Sequence, residues 1–207
     1  MLRYKRLSIQ AYWAAKSTAD RLAIINNVSY LAEGEAKVLF DLYTRAYAAV
    51  DHNLPCMEIG ARYGCSTLAL ALARETHGGG PIISIDPHLW AGAAGRKLDS
   101  LRYLWFNLAG AHLSDHVTPV LALSNNVATW WQSSLGLLWI DGNHSTIAVQ
   151  KDLENFAHRV VKPGGIICGH DYMEPPRGPD TVKQAVDEYA AEHGLSVQVY
   201  NTIWVLS

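Results

Sequence analysis

The chain has 207 residues, 17% of them charged and 49% apolar, with a formal net charge of -2 at neutral pH. That length suits one domain with a buried core and is short for two, and the composition matches neither a disordered nor a membrane-embedded chain. Lys and Arg are spread along the sequence rather than gathered, so no footprint for nucleic acid is visible and a small-molecule partner is expected.

At the N-terminus, Arg3, Lys5 and Arg6 imitate the charged start of a secretion signal. Gln10, Lys16, Ser17, Asp20 and Arg21 then interrupt any apolar run, so neither a signal nor a membrane span is expected. Cys56, Cys65 and Cys168 form no CxxC pair or zinc spacing, which fits a reducing cytoplasm better than a disulfide framework. Residues 34–50 read as an amphipathic helix that precedes a sheet and either caps it or meets a partner subunit. Residues 1–50 are thus an N-terminal helical segment suited to capping or to a homodimer.

From Pro55 onward, short apolar runs alternate with helical stretches, the pattern of βαβ units around a mainly parallel sheet. The strand candidates are "PCMEI" (55–59), "PIISI" (81–85), "HVTPVLAL" (116–123), "LGLLWI" (135–140) and "GIICG" (165–169). Helices are expected over 64–75, 97–111, 125–132, 146–160 and 180–193, the last closing at Gly194. After it, "LSVQVY", "NT" and "IWVLS" read as two antiparallel strands around a tight polar turn.

"EIGARYG" (58–64) joins the first strand to the next helix and sets Glu58, Gly60 and Gly64 in an E-x-G-x-x-x-G pattern. Glycines let backbone pass close to a ligand, and a helix N-terminus offers N–H donors, although an ordinary tight turn has the same look. Asp86 ends the second strand, and an acid about 20 residues past a glycine turn is where such folds grip ribose hydroxyls. Strand-end acids also cap helices, but Pro87 follows, and Gly and Ala fill 91–95, which favours a ligand-facing loop. Trp90 is placed to flank an adenine or to join the core. Glu58 stands where a nicotinamide or flavin fingerprint has its first glycine, and an acid there would repel a pyrophosphate. It suits a ligand with a cationic amino acid and a sulfonium, namely S-adenosylmethionine.

Taken in order, "CMEIGARYGCSTLALA", "IISIDPH", "LLWIDGNHS", "DLENFAHRVVKPGGIICGHDY" and the terminal hairpin resemble the class I S-adenosylmethionine-dependent methyltransferases over roughly residues 34–207. The resemblance is strongest to the metal-dependent small-molecule O-methyltransferases of the macrocin and cephalosporin-cluster type. It implies an α/β fold, a single Rossmann-like three-layer domain with a seven-stranded, mainly parallel sheet whose last strand is antiparallel, and a cofactor-binding methyltransferase domain over 51–207. It also implies Glu58, Gly60 and Gly64 beside the methionine part of the cofactor, Asp86 on its ribose, Ser124 near its adenine edge, and Arg62 and Ser66 as further contacts.

Asp141 ends the fourth strand and Asp171 follows the fifth, and ligands of open parallel sheets gather outside those strand ends, so Asp141 borders the cofactor cleft. Two converging carboxylates repel unless a proton or a cation separates them. In metal-dependent relatives a divalent ion does so, and the resemblance extends the set to Asp141, His170 and Asp171 around magnesium, manganese or another divalent ion. Imidazole biases such a site away from pure magnesium, while the alternative is that His170 only donates a hydrogen bond in the turn. His144 lies three residues past Asp141, where related catechol enzymes carry a lysine base. Asn143, where macrocin-type enzymes have an acid, is an amide that accepts no proton at neutral pH. His144, near its ordinary pKa of ~6.5, is therefore the candidate base beside Asp141, unless it or Ser145 caps the helix starting near Thr146.

The acceptor implied is a small-molecule hydroxyl. The loop "MEPPRGPD" (173–180), stiffened by Pro175, Pro176 and Pro179, is placed to close over it, with Arg177 pairing an acid or merely solvated. Trp130, Trp131 and Trp139 line a pocket or belong to the core. Three rivals stay open: a nicotinamide-dependent oxidoreductase, which Glu58 opposes, a non-catalytic adenosyl-binding module, and a metal-independent N-methyltransferase.

Overall fold

The computed structural model describes residues 6–28, 31–89, 100–173 and 181–207. Trp90, the glycine–alanine loop 91–95, the first turn of the helix expected from 97, and Pro175, Pro176, Arg177 and Pro179 lie outside the described residues.

The strand candidates become β1 (Cys56–Ile59), β2 (Ile82–Ile85), β3 (Val117–Val120), β4 (Leu137–Ile140) and β5 (Ile166–Gly169), followed by the hairpin β6 (Val197–Tyr200) and β7 (Ile203–Leu206). They form one seven-stranded sheet in the order β3-β2-β1-β4-β5-β7-β6. β1 to β5 are parallel, and β7 runs antiparallel to both β5 and β6. β3 is shorter than the run 116–123 suggests: Ala122 N–H bonds back to the Val120 carbonyl in a turn, and Pro119, which has no N–H for a ladder, sits on this edge strand.

Strand alternation divides the apolar side chains between two helical layers. Cys56, Leu137 and Trp139 pack with α1 (Ile9–Ala14), α2 (Thr18–Asn26), α3 (Glu35–Tyr47), α4 (Cys65–His77) and α5 (Ser100–Gly110). Met57, Ile59, Leu138 and Ile140 pack with α6 (Ser124–Ala128), α7 (Thr146–Phe156) and α8 (Val182–His193). Trp139 is fully buried core.

Two helices of the N-terminal segment, α1 and α2, are not apparent in the sequence, because they are too short for an apolar period to stand out. Their start signals are present. Ser8 Oγ accepts the Ala11 N–H, and Ser17 Oγ accepts the Asp20 N–H and donates to the Asp20 carboxylate, a reciprocal cap. Tyr12, Leu22 and Ile25 then bury these helices against the sheet's α3–α4 face. Among the described residues, no helix is long and apolar enough to cross a membrane.

Candidate active site

The strand order reverses between β1 and β4, the switch point where ligands of open α/β sheets bind. Ile59 and Ile140 are register partners, so the segments leaving them run side by side. Gly60 has a left-handed φ of 97°, and a Cβ there would run into the Asp141 carbonyl; only glycine permits this approach. The Asp141 N–H bonds to the Ile59 carbonyl at 2.8 Å, closing the junction.

The loop is tied to the second strand through Asp86. One carboxylate oxygen accepts the Arg62 N–H at 2.7 Å and the other the His88 N–H at 2.6 Å. Arg62 is itself left-handed (φ 47°), so Asp86 holds an otherwise unfavourable loop conformation in place. Gly64 then leads into α4 as its N-cap.

Glu58 alternates with Met57 and so faces α4, fully buried. Its oxygens accept three hydroxyls, from Ser66 (2.5 Å), Thr67 (2.7 Å) and Ser84 (2.6 Å). Ser66 and Thr67 come from the first turn of α4 and Ser84 is the register partner of Glu58 on β2, so the acid fastens strand to strand and strand to helix. Burial pushes its carboxyl up, the hydroxyls pull it down, the Asp141 charge adds to the rise, and the balance is about 7. The acid expected at the cofactor is thus the hub of a buried network beneath the glycine loop, and Ser66 belongs to the same network. Ser124 opens α6 and bonds to the buried Asp152 of α7, whose carboxyl burial raises to about 6 despite that bond.

The ends of β4 and β5 bring Asp141, His144, His170 and Asp171 together. His144 Nε2 lies 3.4 Å from Asp141 Oδ1 and its Nδ1 3.1 Å from Asp171 Oδ2. His170 Nδ1 lies 3.7 Å from the same Asp141 oxygen and 3.5 Å from the same Asp171 oxygen. The tightest potential cation set among the described residues is Asp141, His144 and Asp171, their ligand atoms within 4.8 Å of one another. This differs from the set expected, in which His170 was the imidazole. Both imidazoles flank the same oxygens: the side chain of His144 is half exposed at 51%, that of His170 buried at 7%. Asp171 adopts a left-handed φ of 61°, a conformation aspartate tolerates better than most residues and one seen often where function demands it.

Ser145, not His144, caps α7: its hydroxyl accepts the Ala148 N–H. His144 is left to the acids. Its hydrogen bond to Asp141, opposed by burial and reinforced by the charges of both acids, raises its pKa above the ordinary imidazole value expected from sequence. For His170, burial pulls the pKa down, but the hydrogen bonds to Asp171 and Glu35 and the Asp141 charge more than offset it.

Glu35, at the start of α3, carries no signal in the sequence. It is fully buried, 2.8 Å from His170 Nε2, and no local pattern could have shown a pairing across 135 positions. Burial alone would raise its carboxyl, but the hydrogen bonds from His170 and Thr202 and the imidazole charge hold it low.

A family profile described as a methyltransferase domain matches residues 57–172, from β1 through the acids after β5. The chain belongs to the methyltransferase-domain family. Solved methyltransferases share its fold. An O-methyltransferase from Bacillus cereus, determined with S-adenosylhomocysteine, is 16% identical, covers 98% of this chain and 97% of its own, and has a TM-score of 0.64. The O-methyltransferase TomG from Streptomyces achromogenes, involved in tomaymycin synthesis and determined with S-adenosylmethionine, is 14% identical over 100% of this chain and 98% of its own, with a TM-score of 0.62. The calicheamicin methyltransferase CalS11 is 14% identical over 96% of this chain and 89% of its own, at 0.65. Both the glycine loop and the acid cluster lie inside the segment that the methyltransferase profile matches.

Proposed function

We propose that this methyltransferase O-methylates a small-molecule hydroxyl with the help of a divalent cation held by Asp141, Asp171 and His170, His144 serving as the base. The observation that carries the reading is the convergence of two carboxylates and two imidazoles on one point of the switch-point cleft. Bonds of ~2.0–2.2 Å to a tetrahedral ion put its ligands about 3.4 Å apart, and His170 Nδ1 lies 3.7 Å from Asp141 Oδ1 and 3.5 Å from Asp171 Oδ2. The donor set therefore fits a divalent ion, and mixed oxygen and nitrogen donors suit manganese, iron or zinc as well as magnesium.

His170 is taken as the fixed ligand because it is buried and anchored from behind, while His144 is half exposed and open to an acceptor from the solvent side. On the cofactor side, the reading gives the N–H groups and glycines of 60–64 to the methionine moiety, the Asp86 carboxylate to the ribose, and the Ser124 region to the adenine edge. Arg62 contributes by its backbone, and Glu58 and Ser66 act from beneath, holding the first turn of α4 where the loop needs it.

A divalent ion bound here supplies charge compensation for the acids and Lewis-acid polarisation of the acceptor oxygen. The chain's own residues do the rest. His144, having released its proton to solvent across its exposed edge, takes the hydroxyl proton as the acceptor oxygen attacks the methyl carbon. The carbon–oxygen bond forms as the carbon–sulfur bond breaks, and its electron pair stays on sulfur. The closed junction between Gly60 and Asp141 fixes donor and acceptor sites on adjacent strand ends, which favours an in-line approach.

A second reading has support of its own: with raised imidazole pKa values, His144 and His170 can balance the acids as imidazolium ions, so that methylation, of oxygen or of an amine, proceeds without a metal. Turnover assayed after exhaustive chelation decides between them. Activity lost to chelator and restored by manganese or magnesium supports the metal reading; full activity in chelator rejects it.

A further inference from the structure

Glu35 has no part in the reaction proposed for the cleft, although its side chain is fully buried. Its Oε2 accepts the Ala32 N–H at 2.6 Å and faces His170 Nε2 at 2.8 Å; its Oε1 accepts the Thr202 N–H at 3.0 Å and the Thr202 hydroxyl at 2.6 Å. The Thr202 Oγ1 also lies 3.0 Å from His170 Nε2. Because that hydroxyl gives its hydrogen to Glu35, it can only accept from the imidazole, as can the carboxylate. Two acceptors therefore face Nε2, so Nε2 carries a hydrogen, and Nδ1, turned to Asp141 and Asp171, is the nitrogen that would exchange its proton for an ion. The ring is further held from its own backbone, whose N–H bonds to the Ile140 carbonyl and whose carbonyl accepts the Trp204 indole N–H.

Histidines that bind metals commonly donate their second N–H to a carboxylate, which sets the tautomer and orients the lone pair, and losing that partner typically costs ~10- to 100-fold in affinity. We propose that Glu35, with Thr202 behind it, is a positioning residue of the cation site, reaching from the N-terminal helical segment to present His170 Nδ1 to the ion. The inference rests on the cation reading of the cleft. It also changes the meaning of the first fifty residues, since α3 then completes the site rather than merely covering the sheet.

The test is binding of cobalt(II), read by its visible absorption, and of magnesium, read by competition, to the wild-type protein and to Glu35→Gln, Thr202→Val and Asp171→Asn. Metal-free thermal melts accompany each variant. Glu35→Gln is expected to bind cobalt ~10- to 100-fold more weakly, with a smaller loss for magnesium, which depends less on a nitrogen ligand. Thr202→Val should show the same contrast in weaker form, and it decides the matter if Glu35→Gln does not fold. Unchanged cobalt binding, or an equal loss for both ions, would overturn the inference while leaving the cation site intact. A wild-type protein that binds no cobalt, or an Asp171→Asn variant that binds it equally well, would bring down the cation reading and this inference with it.

Discussion

Around β1 and β2 the carboxylates end on hydroxyls and backbone amides, Glu58 on Ser66, Thr67 and Ser84, and Asp86 on the N–H groups of Arg62 and His88. Around β4 and β5 the carboxylates face imidazoles at 3.1 to 3.7 Å, and one of them sits in a left-handed backbone. The first half is a frame whose two carboxylates are satisfied within the fold by hydroxyls and backbone N–H groups, with one imidazole, that of His88, 3.8 Å from Asp86. The second half is a concentration of charge whose balance depends on protons or on an ion. A neutral-donor network makes a rigid surface for a ligand, whereas a charge cluster makes a place where chemistry changes the charge.

That contrast can be broken at five positions. The largest effect is expected from Asp141→Asn and Asp171→Asn, which should each remove the metal-dependent turnover while S-adenosylhomocysteine affinity, measured by calorimetry, stays within a few fold. A parallel loss of cofactor binding would show that the two halves are not separable. Next, His144→Ala should lower kcat by ~10²- to 10⁴-fold, the usual worth of a general base, again with cofactor binding kept. Unimpaired turnover at neutral pH would remove His144 from the mechanism.

In the frame, Glu58 should leave a signature in stability rather than in turnover. Its folded-state pKa of about 7 lies above the ordinary value of 4.5, so the folded protein holds the extra proton between the two. Stability should then fall as pH rises through that window, by up to ~1.4 kcal/mol per pH unit, and level off above it. Urea unfolding at pH 5, 6, 7 and 8 should show this slope in the wild type and a shallower one in Glu58→Gln; equal slopes would contradict the buried network. The smallest effect belongs to Ser145→Ala, which removes the α7 cap and should cost about 1 kcal/mol by the same measurement without changing metal preference.

Much of this was legible in the sequence because it is local. The runs at 55–59, 81–85, 135–140 and 165–169 became buried strands, and "NT" at 201–202 became the hairpin turn, since period, turn chemistry and burial all agree there. The convergence of Asp141 and Asp171 could be read from their places at strand ends. What Glu58 does could not: its neighbours Ser66 and Thr67 are eight and nine positions away, and Ser84 is twenty-six. An acid beside glycines reads alike whether its side chain turns to a cleft or to a helix.

The order of amino acids dictates the alternation of strands and helices, the glycine that must follow β1, and which acids and imidazoles stand at the strand ends, because hydrophobic period and backbone conformation act over a few residues. Which imidazole is buried and which exposed, and the presence of a glutamate from position 35 behind His170, emerge only once the chain is packed. Those pairings arise when the sheet closes and desolvates groups far apart in the chain, and a buried carboxylate then takes whatever donors the packing brings to it.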